Sequence, residues 1–356
     1  MGLLTSLRRP AADGDLRADP RLPAGGRSAA APSGAGGPAA ALRPALSAAA
    51  RRALQALLLA LSVGLLCFFL LRLLPGDMAY RIAAERYGYD MVDTAAAEAV
   101  RAELGLDRHW ATALGEWWGR LLRGDFGLSW ASGRPVAAEV GHQLGHTLQL
   151  AGGALLLSLL AGLPLGLAAG LRPGGWIDRA TLAAALALRA LPPFVLGLGL
   201  VLALSVQLGA LPAAGHEGHG SLLLPAVTLA LGLAALSCRV TRDAMRAVAA
   251  APYYAFARTK GLGARAALLR HGLRNVGVPV VAYLGVQLAF LVEGVVVVET
   301  LFAWPGIGHA LVHAIFGRDV PMIQGTAMAM GLLFVGLNAL VDLACLAIDP
   351  RRRRAA

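Results

Sequence analysis

Six of the eight histidines in this 356-residue sequence form three close pairs that could bind a metal. The pairs are His142 with His146, His216 with His219, and His309 with His313. Two of them have an i, i+4 separation, which on a helix places both imidazoles on one face and is a common arrangement of metal ligands. Imidazole suits Ni²⁺ and neighbouring metals. The pairs therefore predict either a site for nickel or a similar metal, or solvated histidines in loops, and the sequence leaves both interpretations open.

A second set of polar residues falls inside or at the ends of long apolar stretches. They are Arg189, Glu293, Glu299, Asn338 and Asp342. A charge in the middle of a bilayer costs on the order of 3 kcal/mol, so each charged side chain should face protein or water. We expect these residues to line a solute path, with Arg189 paired to Glu293 or Asp342 and with Asn338 within hydrogen-bond reach of Asp342. The alternative is an arginine that extends to the membrane surface and an isolated glutamate beside an aqueous cleft.

The sequence lacks the common motifs of enzymes. It contains no GxxxxGK[ST] loop for nucleotide phosphates, no HExxH metal site and no GxSxG nucleophile turn. Its apolar stretches also lack the dense carboxylate and histidine chains of a proton-driven pump. A membrane-bound hydrolase would need a nucleophile and a base within hydrogen-bond reach, and no such spacing is evident. We therefore expect a transport protein that is not an enzyme and that binds no cofactor of its own.

The elements that position these residues are apolar segments long enough to cross a membrane. Hydrophobic residues make up 57% of the chain and charged residues 15%, whereas soluble proteins carry about 25% charged residues. A hydrocarbon core of about 30 Å requires roughly 20 apolar residues in a helix. The six stretches of this length are 53–74, 147–171, 180–208, 222–238, 277–300 and 323–347. The sequence therefore predicts an all-α, polytopic membrane protein of about six transmembrane helices.

The distribution of charge predicts the orientation in the membrane. The loop 239–276 contains eight basic residues and one acid, whereas the long loop 75–146 contains ten acids and seven arginines. Because basic loops remain in the cytoplasm, we expect the loop 239–276 and both termini to be cytoplasmic. The net charge of +11 is then a topology signal, and we expect no nucleic-acid partner.

These signals divide the chain into five segments. Residues 1–50 are expected to be a disordered cytoplasmic tail, because their Ala, Pro, Gly and Arg show no hydrophobic periodicity. The others are a first transmembrane helix at 51–74, an outer helical cap at 75–146, a five-helix core at 147–350 that contains the basic loop, and a basic cytoplasmic end at 351–356.

Short motifs spread along the chain carry a resemblance to a known family. They are Leu74-Pro75-Gly76-Asp77, Glu103-Leu104-Gly105-Leu106-Asp107, Gly124-Asp125-Phe126-Gly127-Leu128-Ser129, Thr147-Leu148, Tyr253 to Leu262, Glu299 to Gly308, Val341-Asp342 and Asp349-Pro350-Arg351. In this order, over residues 50–354, the chain resembles the dipeptide, oligopeptide and nickel permease family of bacterial ABC importers. The resemblance implies the permease fold, the bacterial inner membrane and inward movement of solute by alternating access. Glu299 and Asp342 match acids of the family, whereas Arg189 and Glu293 stand where uncharged residues are usual.

The resemblance also implies that residues 252–262 form a coupling helix, a short cytoplasmic helix that docks into a cleft of the ATPase subunit. The residues involved would be Pro252, Tyr253, Tyr254, Phe256, Ala257, Arg258, Lys260, Gly261 and Leu262. Proline suits the first helical position and glycine ends a helix, while Tyr253, Tyr254, Phe256 and Ala257 would supply apolar contact and the two cations would pair with acids of the ATPase. The alternative is an amphipathic helix held on anionic lipid.

One departure from the family concerns this same helix. Members often have acids just before the tyrosine and an arginine-threonine pair within the helix, where this chain has Ala251, Pro252, Ala255 and Phe256. We therefore expect a docking surface that is more apolar than usual.

Partners and substrate follow from the same resemblance. We expect a second, homologous permease subunit, two ATPase subunits that use ATP, an external solute-binding protein and the surrounding membrane lipid. The histidine pairs and the short loop 209–221 favour nickel or a metal chelate slightly over dipeptides and oligopeptides. The competing class is a secondary transporter or channel that works without ATP.

Overall fold

The computed structural model describes residues 38–348, apart from residues 74, 89, 91 and 219. The chain divides between residues 45 and 46 into two units. Of the first unit only the beginning of helix α1 is described, and all other elements belong to the second. The start of the predicted tail, 1–37, and the predicted basic end, 351–356, lie outside the described residues.

Thirteen α-helices make up the described part of the chain. They are α1 (Pro38–Leu73), α2 (Met78–Tyr87), α3 (Thr94–Leu104), α4 (Trp110–Leu121), α5 (Val136–Leu171), α6 (Trp176–Ala190), α7 (Pro193–Leu200), α8 (Leu223–Ala250), α9 (Pro252–Thr259), α10 (Ala264–Ala267), α11 (Leu273–Leu301), α12 (Ile307–Gly317) and α13 (Val320–Ile348). α7 continues into a π-helical segment, Val201–Gln207, and α10 into another, Leu268–Gly272. The predicted all-α fold is confirmed.

Four of the described helices are long and apolar enough to cross a membrane, judged by length and composition. They lie at Ala50–Leu70, Val136–Leu171, Leu223–Ala250 and Val320–Ala344. A fifth span results if α6 and α7, which meet at a bend of 104°, are counted with the π-helical end as one. α11 occupies the place of the remaining predicted span, 277–300, although the side chains of residues 289, 290, 292 and 293 within it are not described. The helix count is therefore close to the predicted six.

α1 begins earlier than the sequence predicted. Residues 38–50, the end of the predicted disordered tail, are helical and run directly into the first span. Alanine has the highest helix propensity of the common residues, and this stretch is rich in alanine. The prediction of disorder is therefore wrong for residues 38–50.

Three glycines set the distance between α5 and α8, the most closely packed helix pair of the core. Gly162, Gly166 and Gly170 recur every four residues along α5 and lie against α8. A Cβ at Gly166 would lie 2.6 Å from the carbonyl oxygen of Cys238 and 2.6 Å from the Cβ of Thr241. Small residues at this spacing let two helix backbones approach closely inside a membrane. The other core helices pack around this pair.

The segment predicted as an outer cap is helical and rests on α1. α2 and α3 pack around a small cluster of Ile82, Ala83 and Val100. The indole of Trp117 in α4 lies directly over Gly64 of α1, where any side chain would collide with it. Tryptophans near the ends of spans are typical of the headgroup level of a membrane. Because Gly64 has no side chain, the Trp117 ring can pack against α1, and this contact holds the cap on the first span.

Candidate functional site

The predicted coupling helix is present as α9. Pro252 occupies its first position, where the missing N–H costs nothing. At the other end the N–H of Gly261 donates to the carbonyl of Arg258 at 3.0 Å, and the N–H of Leu262 donates to the carbonyl of Ala257 at 3.3 Å. These two bonds form a Schellman motif, which requires the left-handed conformation that Gly261 adopts with a φ of 89°. The helix begins at the predicted residue and ends at Thr259, three residues before the predicted end at 262, with Gly261 in the turn that follows.

One face of α9 is buried in the chain itself. Tyr254 and Ala257 are only 6% and 7% exposed, and Tyr254 packs with Met245 of α8 and Val276 of α11. Residues three positions apart lie on the same side of a helix, so the two side chains turn together toward the core. This burial leaves little of either side chain for contact with the ATPase, and their part in docking stays a prediction.

The opposite face of α9 is aromatic and cationic. Tyr253 and Phe256 are 45% and 60% exposed. The ammonium group of Lys260 lies 4.7 Å from the centre of the Phe256 ring, which is a cation–π contact. Arg258 is exposed as well. Exposed aromatic side chains flanked by two cations are suited to bind a groove of a partner protein that is apolar at its centre and acidic at its edge.

A buried carboxylate that the sequence analysis did not single out joins α6 to α8. Asp178, in the first turn of α6, accepts hydrogen bonds from Nε and Nη2 of Arg242 at 2.9 and 2.7 Å. Arg239 donates to the same carboxylate at 3.3 Å, and the backbone N–H of Gly174 donates at 2.9 Å. Because the Arg242 fork contacts both carboxylate oxygens, this is the strong bidentate arrangement. Arg239 and Arg242, both from the basic loop 239–276, therefore also hold α8 against α6.

In the importer that the resemblance implies, we expect Asp178→Asn to lower ATP-driven uptake by at least about tenfold, because Arg239 and Arg242 lose the buried carboxylate that they share. The substitution loosens the joint between α6 and the end of α8 that leads into α9. The measurement is uptake by the assembled importer in proteoliposomes. Asp243→Asn is the matched control, because Asp243 is an exposed partner of the same arginine, Arg242. Equal uptake rates for the two variants would contradict a role for the joint.

Glu299 is fully buried at the end of α11. Its Oε1 accepts from the Thr147 hydroxyl at 2.6 Å, and its Oε2 accepts from the backbone N–H groups of Gly308 and His309 at 2.8 and 3.2 Å. The Thr147 oxygen in turn accepts from the N–H of Ile307 at 2.8 Å. The first turn of α12, whose N–H groups have no partner within the helix, is thus capped by side chains of α11 and α5. A contribution of Glu299 to the solute path stays a prediction.

Arg189 lies at the bend between α6 and α7 and lines a cleft of about 500 Å³ that α8 and α11 complete. Pro192 and Pro193 form the bend, because proline cannot continue a helix through its own interior. Gly294 of α11 also lines the cleft, and Glu293 precedes it in the chain with a side chain outside the described set. Broken helices in membranes are tolerated where they border a cavity, so this cleft is the best candidate for the solute path.

The predicted partners of Asp342 differ from those in the structure. Its carboxylate accepts from the guanidinium of Arg52 in α1, in place of Arg189, and so joins α1 to α13. Asn338 donates to the carbonyl of Phe334 at 2.8 Å instead of to Asp342, because a helix offers its side-chain amide a carbonyl one turn back. In the structure the Asn338 amide therefore uses this carbonyl, and a role of Asn338 and Asp342 in the solute path stays a prediction. A pairing of Arg189 with Glu293 stays a prediction.

Three of the predicted metal-binding histidines come together in the structure. The ring centres of His142 and His146 on α5 are 4.9 Å apart, and the ring of His216 lies 5.7 Å from that of His146. His219 lies outside the described residues. Across the part of the chain that the structure describes, no group of three or more His, Cys, Asp or Glu side chains is arranged to hold a metal ion.

The second i, i+4 pair also shares one helix face. The rings of His309 and His313 on α12 have their centres 4.5 Å apart. Burial lowers the pKa of His309 below its ordinary value, and the neighbouring His313 lowers it further. Two imidazoles this close could both bind a metal, but the pair alone offers only two ligands.

The family described as the binding-protein-dependent transport system inner membrane component matches residues 162–354. This is more than half of the chain, and it contains α9, the Asp178 joint and the cleft at Arg189. The chain belongs to this family.

Individual relatives of this permease match over more of its length. The glutathione transport system permease proteins of Shigella flexneri serotype 5b (strain 8401) and Escherichia coli (strain K12) are each 36% identical over 291 residues, covering 82% of this chain and 94% of theirs. The protein of the same description from Salmonella choleraesuis (strain SC-B67) is 36% identical over 293 residues, with the same coverage. A crystal structure of an amino acid ABC transporter with histidines is 17% identical, covers 60% of this chain and 94% of its own, and gives a TM-score of 0.45.

Membership places this permease as the membrane subunit of an ABC importer. It is therefore a multi-pass inner-membrane protein and not an enzyme, and such subunits work with an ATPase and a solute-binding protein. These parts of the sequence prediction are confirmed.

In the permease, two of the short motifs meet at a pair of residues that the sequence analysis missed. The guanidinium of Arg318 donates to the backbone carbonyls of Pro75–Gly76. Asp319, only 3% exposed, accepts from the Ser129 hydroxyl and from the backbone N–H of Trp130 at 3.1 Å. An Arg-Asp pair directly before a membrane span was a visible signal, but its partners lie far away in the sequence. The pair fixes the cap to the start of α13.

Proposed function

We propose that this permease imports short peptides and that the ATPase which drives it docks on the exposed face of α9. The observation that carries the substrate class is the 36% identity over 94% of the length of permeases that are described as glutathione transporters. Glutathione is itself a short peptide. The match covers 82% of this chain, which is far more than the coupling region alone.

The cleft at Arg189 supports a solute of this kind. Its volume of about 500 Å³ falls within the range of roughly 300–1,000 Å³ that is typical of small-ligand sites. Its walls are mostly apolar, and among the described residues that line it Arg189 carries the charge. A guanidinium at such a position suits the terminal carboxylate of a peptide.

The packing around α9 supports a route by which ATPase motion reaches the cleft. Tyr254 fixes α9 to the end of α8, and the Asp178–Arg242 pair fixes that part of α8 to α6. α6 then ends at the bend that carries Arg189. Movement of the ATPase against Phe256 would therefore tilt α8 and α6 together and change the width of the cleft at Arg189.

The full importer that we propose contains one further homologous permease, two ATPase subunits and one external solute-binding protein. In this arrangement α9 and both termini of the permease face the cytoplasm, as the excess of basic residues in the loop 239–276 favours. ATP is bound and used by the ATPase subunits.

Nickel or a metal chelate is the second candidate substrate. The specific observation in its favour is the approach of His142, His146 and His216. Against it stands the lack, among the described residues, of a three-ligand group that could hold a metal ion. Peptide is therefore the preferred substrate.

The test is uptake by the importer reconstituted in proteoliposomes with its partner subunits. We expect ATP-dependent uptake of labelled glutathione or dialanine and no uptake of labelled Ni²⁺. His142→Ala combined with His146→Ala should leave peptide uptake unchanged. Nickel uptake that this double variant abolishes, without any peptide uptake, would overturn the peptide proposal. Peptide uptake at the same rate without ATP would instead indicate a secondary transporter or channel.

A further inference from the structure

A second cavity, separate from the cleft at Arg189, lies between the cap, the end of α1 and the start of α13. Its volume is about 410 Å³. The charged residues that line it are Arg72, Arg101, Arg108, Arg120, Asp77 and Asp107. The cap segment as a whole carries more acids than arginines, so the cavity gathers positive charge within an otherwise acidic part of the chain.

Two of these arginines already have carboxylate partners. Arg101 donates to Asp77 at 2.6 Å, and Arg108 donates to Glu116 at 3.1 Å. Burial would raise the pKa of Asp77, but the hydrogen bonds from Arg101 and from two backbone N–H groups outweigh it and leave that pKa below its ordinary value. Asp77 therefore stays ionised and neutralises Arg101.

Arg72 and Arg120 differ from Arg101 and Arg108 in their carboxylate partners. Within the described residues, neither Arg72 nor Arg120 has a carboxylate oxygen within 4.0 Å. The Arg72 guanidinium lies 4.7 Å from the centre of the Phe68 ring, so it rests on an aromatic face. Two guanidinium groups thus border the cavity with hydrogen-bond donors that no acid satisfies.

A buried amide adds a further donor. Gln324 of α13 lines the same cavity and is only 3% exposed, yet its Nε2 has no hydrogen-bond partner among the residues that the structure describes. A buried polar group without a partner costs free energy, so each such group needs an explanation. Gln324, Arg72 and Arg120 all present donors, and a ligand rich in acceptor oxygens would satisfy all three.

We propose that this cavity binds a phosphate-bearing anion, and its position favours the headgroup of a surrounding phospholipid as the source. Arginine forks match phosphate oxygens in pairs, and basic pockets between membrane helices bind anionic headgroups. Trp117 and Trp130 line the cavity, and tryptophan marks the headgroup level. Beside it, Leu66 and Phe69 of α1 are 60% and 42% exposed, as suits side chains that contact acyl chains.

The test is native mass spectrometry of the full-length permease with dioleoyl phosphatidylglycerol and dioleoyl phosphatidylcholine as probes. We expect phosphatidylglycerol to be retained in preference. Replacing both Arg72 and Arg120 by glutamine should weaken its binding about thirtyfold, on the basis of roughly 1 kcal/mol per arginine near a lipid surface. Gln324→Leu, which changes no charge, should weaken it about fivefold through the lost donor. Arg81→Gln with Arg123→Gln is the matched control, since it removes the same charge from the cap but no residue of the cavity.

Equal retention of the anionic lipid by the wild-type protein and the Arg72/Arg120 variant would overturn the proposal. Equal weakening by the control pair would also overturn it, because it would indicate bulk charge alone. Competition with inorganic phosphate separates the two sources of the anion. Displacement of the bound lipid from the wild-type protein assigns the site to phosphate itself, and persistence of the lipid assigns it to the whole headgroup. Binding of an acidic peptide in preference to both the lipid and inorganic phosphate would contradict a phosphate site.

Discussion

Phe256→Glu is expected to abolish ATP-driven uptake while leaving insertion and folding of the permease intact. The side chain is 60% exposed on the face of α9 that points away from the core, so the substitution costs the fold little. A charged residue in place of a buried aromatic anchor typically weakens a protein interface by 2 kcal/mol or more, which corresponds to at least about thirtyfold in docking. The measurement pairs peptide uptake with the solute-stimulated ATPase rate of the assembled importer, and both should fall.

Two other substitutions make this result specific to one face of α9. Leu269→Glu introduces the same charge at a position that is 56% exposed in the same loop but outside α9, and it should retain uptake. Tyr254→Ala removes a buried ring and should lower thermal stability, which Phe256→Ala should not. Normal uptake by Phe256→Glu, or equal losses for Phe256→Glu and Leu269→Glu, would contradict docking through this face.

Gly166→Ala is expected to produce the second large effect, on the stability of the membrane core. The added Cβ would lie 2.6 Å from the carbonyl oxygen of Cys238, which is part of a helix backbone and cannot rotate away. Overpacking of this kind costs about 1–3 kcal/mol and sometimes more. We expect a lower melting temperature in detergent, measured by size-exclusion chromatography after heating, together with reduced uptake.

The same helix provides the control for that substitution. A Cβ at Gly152 would meet no atom within 4 Å, so Gly152→Ala should leave the melting temperature unchanged or raise it slightly, as expected for a Gly-to-Ala change in a helix. Equal melting temperatures for the two variants would show that close approach of α5 and α8 does not depend on Gly166.

Local signals in the sequence were sufficient to predict where α9 begins and which glycine follows its end. Pro252 and Gly261 act through neighbouring backbone groups, and such effects do not depend on the rest of the fold. Which face of α9 is exposed could not be predicted, because burial of Tyr254 depends on Met245 and Val276, which belong to other helices. The spacing of four residues between His142 and His146 likewise predicted a shared face, but the approach of a third histidine from another loop was not visible.

Long-range pairs account for most of what the sequence analysis missed. Asp178 and Arg242 are separated by 64 residues, so nothing local marks them as partners. Gly162, Gly166 and Gly170 form a stripe of small residues that favours close helix packing, and their importance became apparent only from the contacts with α8. The sequence showed that Glu299 matches an acid of the permease family. Its hydrogen-bond partners on α5 and α12 became visible only in the structure.

The most direct test of coupling through α9 is site-specific photo-crosslinking in the complete importer. A photoreactive phenylalanine analogue is placed at Phe256 in one variant and at Tyr254 in another, and the products are identified after irradiation. Docking of the exposed face predicts a crosslink from position 256 to the ATPase subunit and, from position 254, products within the permease alone. Crosslinks from position 256 to lipid only, with none to the ATPase, would contradict it.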